Sequence, residues 1–131
     1  MKIILDKQQL HFTIRRLAHQ LTENHVNLKD VVFIGLQPRG VKVSKLMVDQ
    51  IRDLMPDEKI LYGLLDITFY RDDIRSELHK ANKTDIPFSI EGKQVVLIDD
   101  VLYTGRTIRA ALDALLDFGR PKKVELCILV N

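Results

Sequence analysis

The sequence has no tryptophan and a single thiol, Cys127, among its 131 residues. One cysteine excludes a disulfide scaffold and any cysteine-based zinc site. No apolar run approaches the length of a membrane span. The opening Met1-Lys2-Ile3-Ile4-Leu5-Asp6 lacks the long apolar stretch of a secretory signal. These absences make the cytoplasm the expected address, with no membrane partner. A strong excess of charge is missing too: 20 Lys and Arg against 18 Asp and Glu leave +2, too little to announce a nucleic-acid partner. With 46% hydrophobic residues, disorder as the main state is excluded. Repeats, low-complexity tracts and Ser/Gly linkers are absent. A chain of this length is one domain's worth and buries roughly two thirds of the surface its unfolded form exposes.

What charge there is lies unevenly. Residues 1–52 carry nine basic and four acidic side chains, giving +5, and residues 53–131 carry eleven and fourteen, giving −3. His11, His19 and His25 fall in the first part, and none of His11, His25 and His79 has metal-ligand spacing. Solvated helix faces account for such charge without any partner.

Leu10, Ile14, Leu17, Ala18 and Leu21 recur at helical spacing, which predicts an amphipathic helix from Lys7 to about Asn24. Val31 to Gly35 is a short β-rich run suited to a buried strand, broken by Gln37-Pro38-Arg39-Gly40. Val41, Val43, Leu46, Met47 and Ile51 predict a second helix ended by Pro56. Ile60 to about Phe69 reads as a strand, and Arg71 to Gly92 as a long polar loop. Val95 to Ile98 is a fully apolar strand, followed by two acids and a loop. A helix from Thr107 to Phe118 comes next, with Gly119 as its C-terminal cap and Pro121 beyond, and Val124 to Val130 forms a last strand. Strands alternating with helices imply an α/β fold, a parallel sheet with helices on both faces that binds ligands at the carboxyl ends of its strands. Cys127, Met47 and Met55 read as buried packing residues.

Chemistry concentrates where the apolar strand ends, in Asp99-Asp100-Val101-Leu102-Tyr103-Thr104-Gly105-Arg106-Thr107. A Thr/Gly loop opening a helix is an anion site: free N–H groups at the helix start favour a phosphate, Gly105 permits close backbone approach, and the Thr104 and Thr107 hydroxyls add donors. Two carboxylates beside a phosphate would repel it, so Asp99 and Asp100 must face hydroxyls or a cation. A ribose diol, or a sugar with Mg²⁺, meets that need, and a ribose-5-phosphate pocket results. Solvated loop acids before a capped helix would explain Asp99 and Asp100 taken alone. The P-loop and dinucleotide fingerprints are absent.

Val95 to Thr107 resembles the phosphoribosyl pyrophosphate (PRPP) signature of type I phosphoribosyltransferases. Asp-Asp-Val-Leu-Tyr-Thr-Gly-Arg-Thr, followed by Ile-Arg-Ala-Ala-Leu-Asp-Ala-Leu, is similar to one subgroup, the pyrimidine-operon attenuation regulators that are also uracil phosphoribosyltransferases. The likeness extends to Leu65 through Asp73, Asp85-Ile86-Pro87-Phe88, Gly119-Arg120-Pro121 and Ile14 through His19, nearly the whole chain.

The resemblance implies a pentosyltransferase that uses PRPP and Mg²⁺ to place phosphoribose on a pyrimidine base, uracil, giving UMP and pyrophosphate. Asp99 and Asp100 then hold the ribose hydroxyls, and Val101, Leu102, Tyr103, Thr104, Gly105, Arg106 and Thr107 hold the 5′-phosphate. Arg39 and Gly40 bind pyrophosphate. Pro38 stands where the family usually has Thr, and it has no N–H to offer. Arg71 matches the family's mobile loop and is a second catalytic candidate beside Arg39, as the loop's best candidate for a pyrophosphate contact, ahead of Lys80 and Lys83. The resemblance implies no dedicated protein metal cage, because Mg²⁺ is bound mainly through PRPP. It also implies a homodimer or higher homo-oligomer. The resemblance further implies a single phosphoribosyltransferase domain over residues 1–131, with the C-terminal segment that shapes the family's uracil pocket expected to be lacking. An Asp commonly stands at the Asn131 position there.

The alternative is an RNA-binding regulator of pyrimidine gene expression with weak or lost catalysis. The subgroup binds messenger RNA through a basic surface, for which Thr13, Arg15, Arg16 and His19 of the first helix are the candidates. A solvated amphipathic helix would carry the same residues. A receiver-like signalling domain also has acid pairs at strand ends, but its acids come earlier in the chain and it has no use for the phosphate loop.

Overall fold

The computed structural model describes residues 7–25, 27–37, 39–67, 84–101 and 105–130, with Val101, Gly105, Arg106, Thr107 and Val130 described by their backbone alone. Four strands and three helices alternate: α1 (Lys7–Asn24), β1 (Val31–Gln37), α2 (Gly40–Leu54), β2 (Leu61–Asp66), β3 (Gln94–Val101), α3 (Gly105–Leu115) and β4 (Lys123–Val130). All strand pairs are parallel, in the order β2-β1-β3-β4. From β1 the chain crosses to one side through α2. From β3 it crosses to the other side through α3. Right-handed crossovers in opposite directions place their helices on opposite faces.

The core follows that rule. On one face Val31, Phe33, Val96 and Ile98 pack beneath α1 and α2, against Ile14, Ala18, Val43, Met47 and Ile51. On the other, Val32, Ile34, Val95 and Leu97 pack beneath α3, against Ala110, Ala111, Ala114 and Leu115. The alternation of neighbours between faces is the two-residue strand period, and strands covered on both faces explain the unbroken apolar runs. All seven residues of β1 are buried.

Several boundaries differ from the sequence expectations. β3 does not stop at Ile98: Asp99 pairs with Ile128 and Val101 with Val130, so the two acids lie within the last residues of the strand instead of following it. β1 likewise runs on to Gln37, paired with Asp66. β2 is shorter than expected, ending at Asp66. α3 starts at Gly105 and ends at Leu115. A tighter turn then follows, in which the Asp117 and Phe118 N–H groups donate to Ala114 and Leu115 carbonyls. Gly119 has a positive φ of 145°, but it lies one turn beyond the helix end instead of capping it. The tail of the expected polar loop belongs to the core, since Ile90 is fully buried. Asp85 forms an isolated antiparallel bridge to Leu64. A tight turn follows, closed by Lys93 N–H to Ile90 O at 3.1 Å, with Gly92 at φ 70°. α1, α2 and β4 fall where the pattern predicts. No helix among the described residues is long and apolar enough to cross a membrane.

Candidate functional site

In a sheet of this order the chain reverses direction between β1 and β3, and the crevice at their carboxyl ends is where such sheets bind ligands. Each of the two strands is followed along the sequence by a helix. β1 leads through Arg39 into α2, and β3 leads into α3. Two helix starts, whose first N–H groups have no partner within their own helix and carry the positive end of its dipole, therefore follow adjoining strands.

Gly40 opens α2 and is buried against the end of β3. A methyl group there would lie 2.5 Å from the Ile98 carbonyl oxygen, 3.3 Å from the Asp99 Cα and 3.4 Å from Asp99 Oδ1. Only glycine permits that approach. Arg39, the residue before it, is exposed with helical backbone angles (φ −78°, ψ −28°), and its guanidinium acts favourably on the Asp99 carboxylate.

Asp99 is 8% exposed. Burial, opposed by the Asp100 N–H donating to Asp99 Oδ1 at 2.8 Å, pushes its carboxyl up to about 6, and the Asp100 carboxylate adds to the rise. Asp100, half-buried, is the second acid of the pair. At neutral pH Asp99 is an ionised, poorly solvated carboxylate, which gains from a hydroxyl donor or a cation.

Of the residues expected at the site, Arg39, Gly40, Asp99 and Asp100 come together. Val101 ends β3, and Gly105, Arg106 and Thr107 form the first turn of α3. Pro38, Arg71, Lys80, Lys83, Leu102, Tyr103, Thr104 and Asn131 lie outside the described residues, as does His79. Thr13, Arg15, Arg16 and His19 sit away from the crevice on α1, Thr13 half-buried and the other three exposed.

Two further polar residues are buried beside the crevice: Gln37, expected in the turn after β1, and Asp66, which the pattern reading gave no role of its own. Gln37 and Asp66 end β1 and β2 as register partners, with exposures of 7% and 8%. The Asp66 N–H donates to Thr84 Oγ1 at 2.9 Å. An acid closing the apolar run Leu61 to Leu65 was the available signal. Deeper in α2, Ser44 is fully buried and shares a 2.7 Å hydrogen bond with the Tyr62 hydroxyl. Among the described residues no group of three or more His, Cys, Asp or Glu converges as a metal site would require. Cys127 is buried, and burial with the nearby Glu125 carboxylate pushes its thiol up to about 11, leaving it unreactive.

Comparison with known proteins agrees with this geometry. The family model for the phosphoribosyl transferase domain matches residues 1–131. The chain is 48% identical over 132 residues to the "Bifunctional protein PyrR" of Actinobacillus pleuropneumoniae, covering 99% of this chain and 73% of that protein. To the protein of that name from Pelotomaculum thermopropionicum it is 42% identical over 130 residues, covering 98% and 71%. Among solved structures it resembles a hypoxanthine phosphoribosyltransferase from Staphylococcus aureus, with a TM-score of 0.69 at 19% identity over 97% of this chain and 65% of that one. It also resembles a purine phosphoribosyltransferase from Pyrococcus horikoshii, with a TM-score of 0.65 at 22% identity over 95% and 74%. At those identities the structures establish the fold alone, and this chain spans a little under two thirds of the first of them. Fold, crevice and family match agree, and the chain belongs to the phosphoribosyl transferase domain family.

Proposed function

We propose that this protein binds PRPP with Mg²⁺ and transfers phosphoribose to a pyrimidine base, uracil, releasing pyrophosphate and forming UMP. The observation that carries this reading is the adjacency of two helix starts on β1 and β3 with an acid pair at the end of β3. PRPP presents two anionic groups separated by a ribose diol, and the crevice offers two anion sites separated by carboxylates.

Arg39 and the N–H groups opening α2 hold the pyrophosphate. The 5′-phosphate sits on the segment from Val101 to Thr107 at the start of α3, and the ribose hydroxyls donate to Asp99 and Asp100. A base nitrogen then forms a bond to ribose C1 as the bond from C1 to the pyrophosphate oxygen breaks, and the electron pair leaves with pyrophosphate. No protein nucleophile takes part. The protein contributes orientation and stabilisation of charge on the leaving group by Arg39 and the α2 dipole. Arg71 is a second candidate for that role. Mg²⁺, held mainly through PRPP oxygens, supplies further charge neutralisation on the leaving group. The donor set fits a cation held in that way, with two carboxylates on one strand end and no third ligand converging among the described residues.

The test is calorimetric titration with PRPP and Mg²⁺, repeated with uracil, followed by an assay of UMP and pyrophosphate. Saturable PRPP binding with product formation supports the reading. A folded protein that ignores PRPP defeats it. PRPP binding without a response to uracil places the base site outside residues 1–131.

A second reading rests on α1. Arg15, Arg16 and His19 are all exposed, opposite the buried Ile14, Ala18 and Leu21. This face fits the phosphates of an RNA, with Thr13 at its margin, and a homodimer would present it twice. Binding would weaken steeply with salt.

A further inference from the structure

We propose that Ser44 and Tyr62 are positioning residues for the pyrophosphate subsite. A hydrogen-bond chain from the Tyr62 hydroxyl through Ser44 to the Val41 carbonyl fixes the first turn of α2 and polarises the Lys42 N–H as an anion donor. The inference rests on the PRPP reading of the crevice and deepens it, since it names what sets the strength of one of the two anion sites.

Ser44 is fully buried, one turn into α2. Its Oγ lies 3.0 Å from the Val41 carbonyl oxygen and 2.7 Å from the Tyr62 hydroxyl on β2. A carbonyl only accepts, so the single Ser44 hydroxyl hydrogen goes to Val41 and Tyr62 donates to Ser44. Burial, joined by the Asp49 carboxylate and opposed by the Ser44 bond and the Arg52 guanidinium, holds the Tyr62 hydroxyl above its usual range. At neutral pH it is therefore protonated and able to donate. Gly35 makes room for the arrangement: a Cβ there would collide with Ser44 Oγ and lie 3.2 Å from the Gly40 carbonyl oxygen. At the other end of α2, Arg52 Nη2 donates to the Ile60 carbonyl at 3.3 Å. The helix is thus tied beside β2 near both its ends.

Packing alone does not call for this hydroxyl. Ser44 is the one polar side chain among the buried residues of α2, and alanine would occupy the same place. A buried hydroxyl is unfavourable unless it is bonded. The Val41 carbonyl belongs to the same peptide unit as the Lys42 N–H. That N–H lies in the first turn, has no acceptor within α2, and points out of the helix start, where the pyrophosphate is placed. The Tyr62 O–H, the Ser44 O–H and this peptide unit are three dipoles aligned head to tail, and each polarises the next. An anion at the end gains from the whole chain. Among its described residues α3 has no counterpart, since those it buries are Ala110, Ala111, Ala114 and Leu115. The chain therefore acts on one anion site and not on the other.

Magnesium pyrophosphate and ribose 5-phosphate, titrated separately into the full chain, report on the two sites apart. Tyr62→Phe keeps the ring and deletes only the hydroxyl. It should weaken pyrophosphate binding about fivefold, the size of one hydrogen bond, and leave ribose 5-phosphate binding unchanged. Ser44→Ala should show the same selective loss. The double variant should lose no more than Ser44→Ala alone, because both substitutions cut one chain. In isotope-labelled protein, pyrophosphate should move the Lys42 amide proton resonance downfield, and by less in Tyr62→Phe. Unchanged pyrophosphate affinity in Tyr62→Phe, or an equal loss on both ligands, overturns the proposal and leaves the PRPP reading standing. Losses that add in the double variant, or a Lys42 resonance that ignores pyrophosphate, also overturn it. A folded wild type that binds neither ligand overturns the PRPP reading and the proposal with it.

Discussion

Gly40 touches the end of β3 so closely that any Cβ there would stand 3.4 Å from Asp99 Oδ1 and 2.5 Å from the Ile98 carbonyl. The start of α2 and the acid pair are thus one packed unit, and the spacing between the two proposed anion sites depends on an absent side chain. Gly40→Ala should force them apart. Stability should fall by about 1–3 kcal/mol, as for other overpacked sites, and PRPP affinity should fall more steeply than global unfolding explains. Denaturant melts beside calorimetric titration check this. An unaffected PRPP affinity in a destabilised protein would separate the contact from binding.

Asp100 tests the ribose contact with less structural risk. It is only half-buried, and the 2.8 Å bond to Asp99 Oδ1 comes from its backbone N–H, which a side-chain substitution keeps, although its carboxylate also meets that of Asp99. Asp100→Asn keeps the shape and removes the charge. PRPP affinity should fall about tenfold to a hundredfold, the range for a hydrogen bond to a charged group, with the thermal midpoint moved by no more than a few degrees. Unchanged affinity would refute the ribose-diol assignment.

Asp99 makes a prediction about pH. Burial above all pushes its carboxyl up to about 6 in the folded chain, against an ordinary value of 3.8. Between those values the folded state holds a proton that the unfolded state has released. Stability therefore declines as pH rises from about 4 to about 6 and stays lower above that. Asp99→Asn should remove this dependence and make the free protein more stable at pH 8 by about 1–2 kcal/mol, while weakening PRPP binding. Urea unfolding at pH 4.5 and pH 8 decides it, and equal gains at both values would discount Asp99 as the titrating group.

The crevice was largely legible in the residues. Asp99, Asp100, Arg39 and Gly40 stand at strand-to-helix transitions that local patterning marks, and the structure brings them to one switch point. The end of β3 was misjudged because polarity suggested a loop, whereas pairing with β4 carries the strand through both acids to Val101. The burial of Gln37 and Asp66 was not legible, because it comes from the pairing of β1 with β2 and not from any local period. Ile90, a lone apolar residue in a polar stretch, has no periodic neighbours, and its burial beneath α3 is decided by packing.

His25 and Glu125 lay beyond sequence reasoning for the same reason, being 100 positions apart. His25 Nε2 lies 3.0 Å from Glu125 Oε2, with the His side chain 6% exposed and the Glu side chain 29%. This pair ties the end of α1 to β4. His25→Ala removes a buried ring and strands a partly buried carboxylate, so stability should fall by about 2–3 kcal/mol. Glu125→Gln keeps a polar partner for the ring and should lose less than half as much. Glu125 precedes Ile128, the register partner of Asp99, by three residues, about 10 Å of strand. The tie is therefore remote from the crevice, and PRPP affinity measured below the melting transition should be the same in both variants as in the wild type. A tenfold loss of PRPP affinity in His25→Ala would show instead that the seating of α1 on β4 controls the geometry at the far end of the strands.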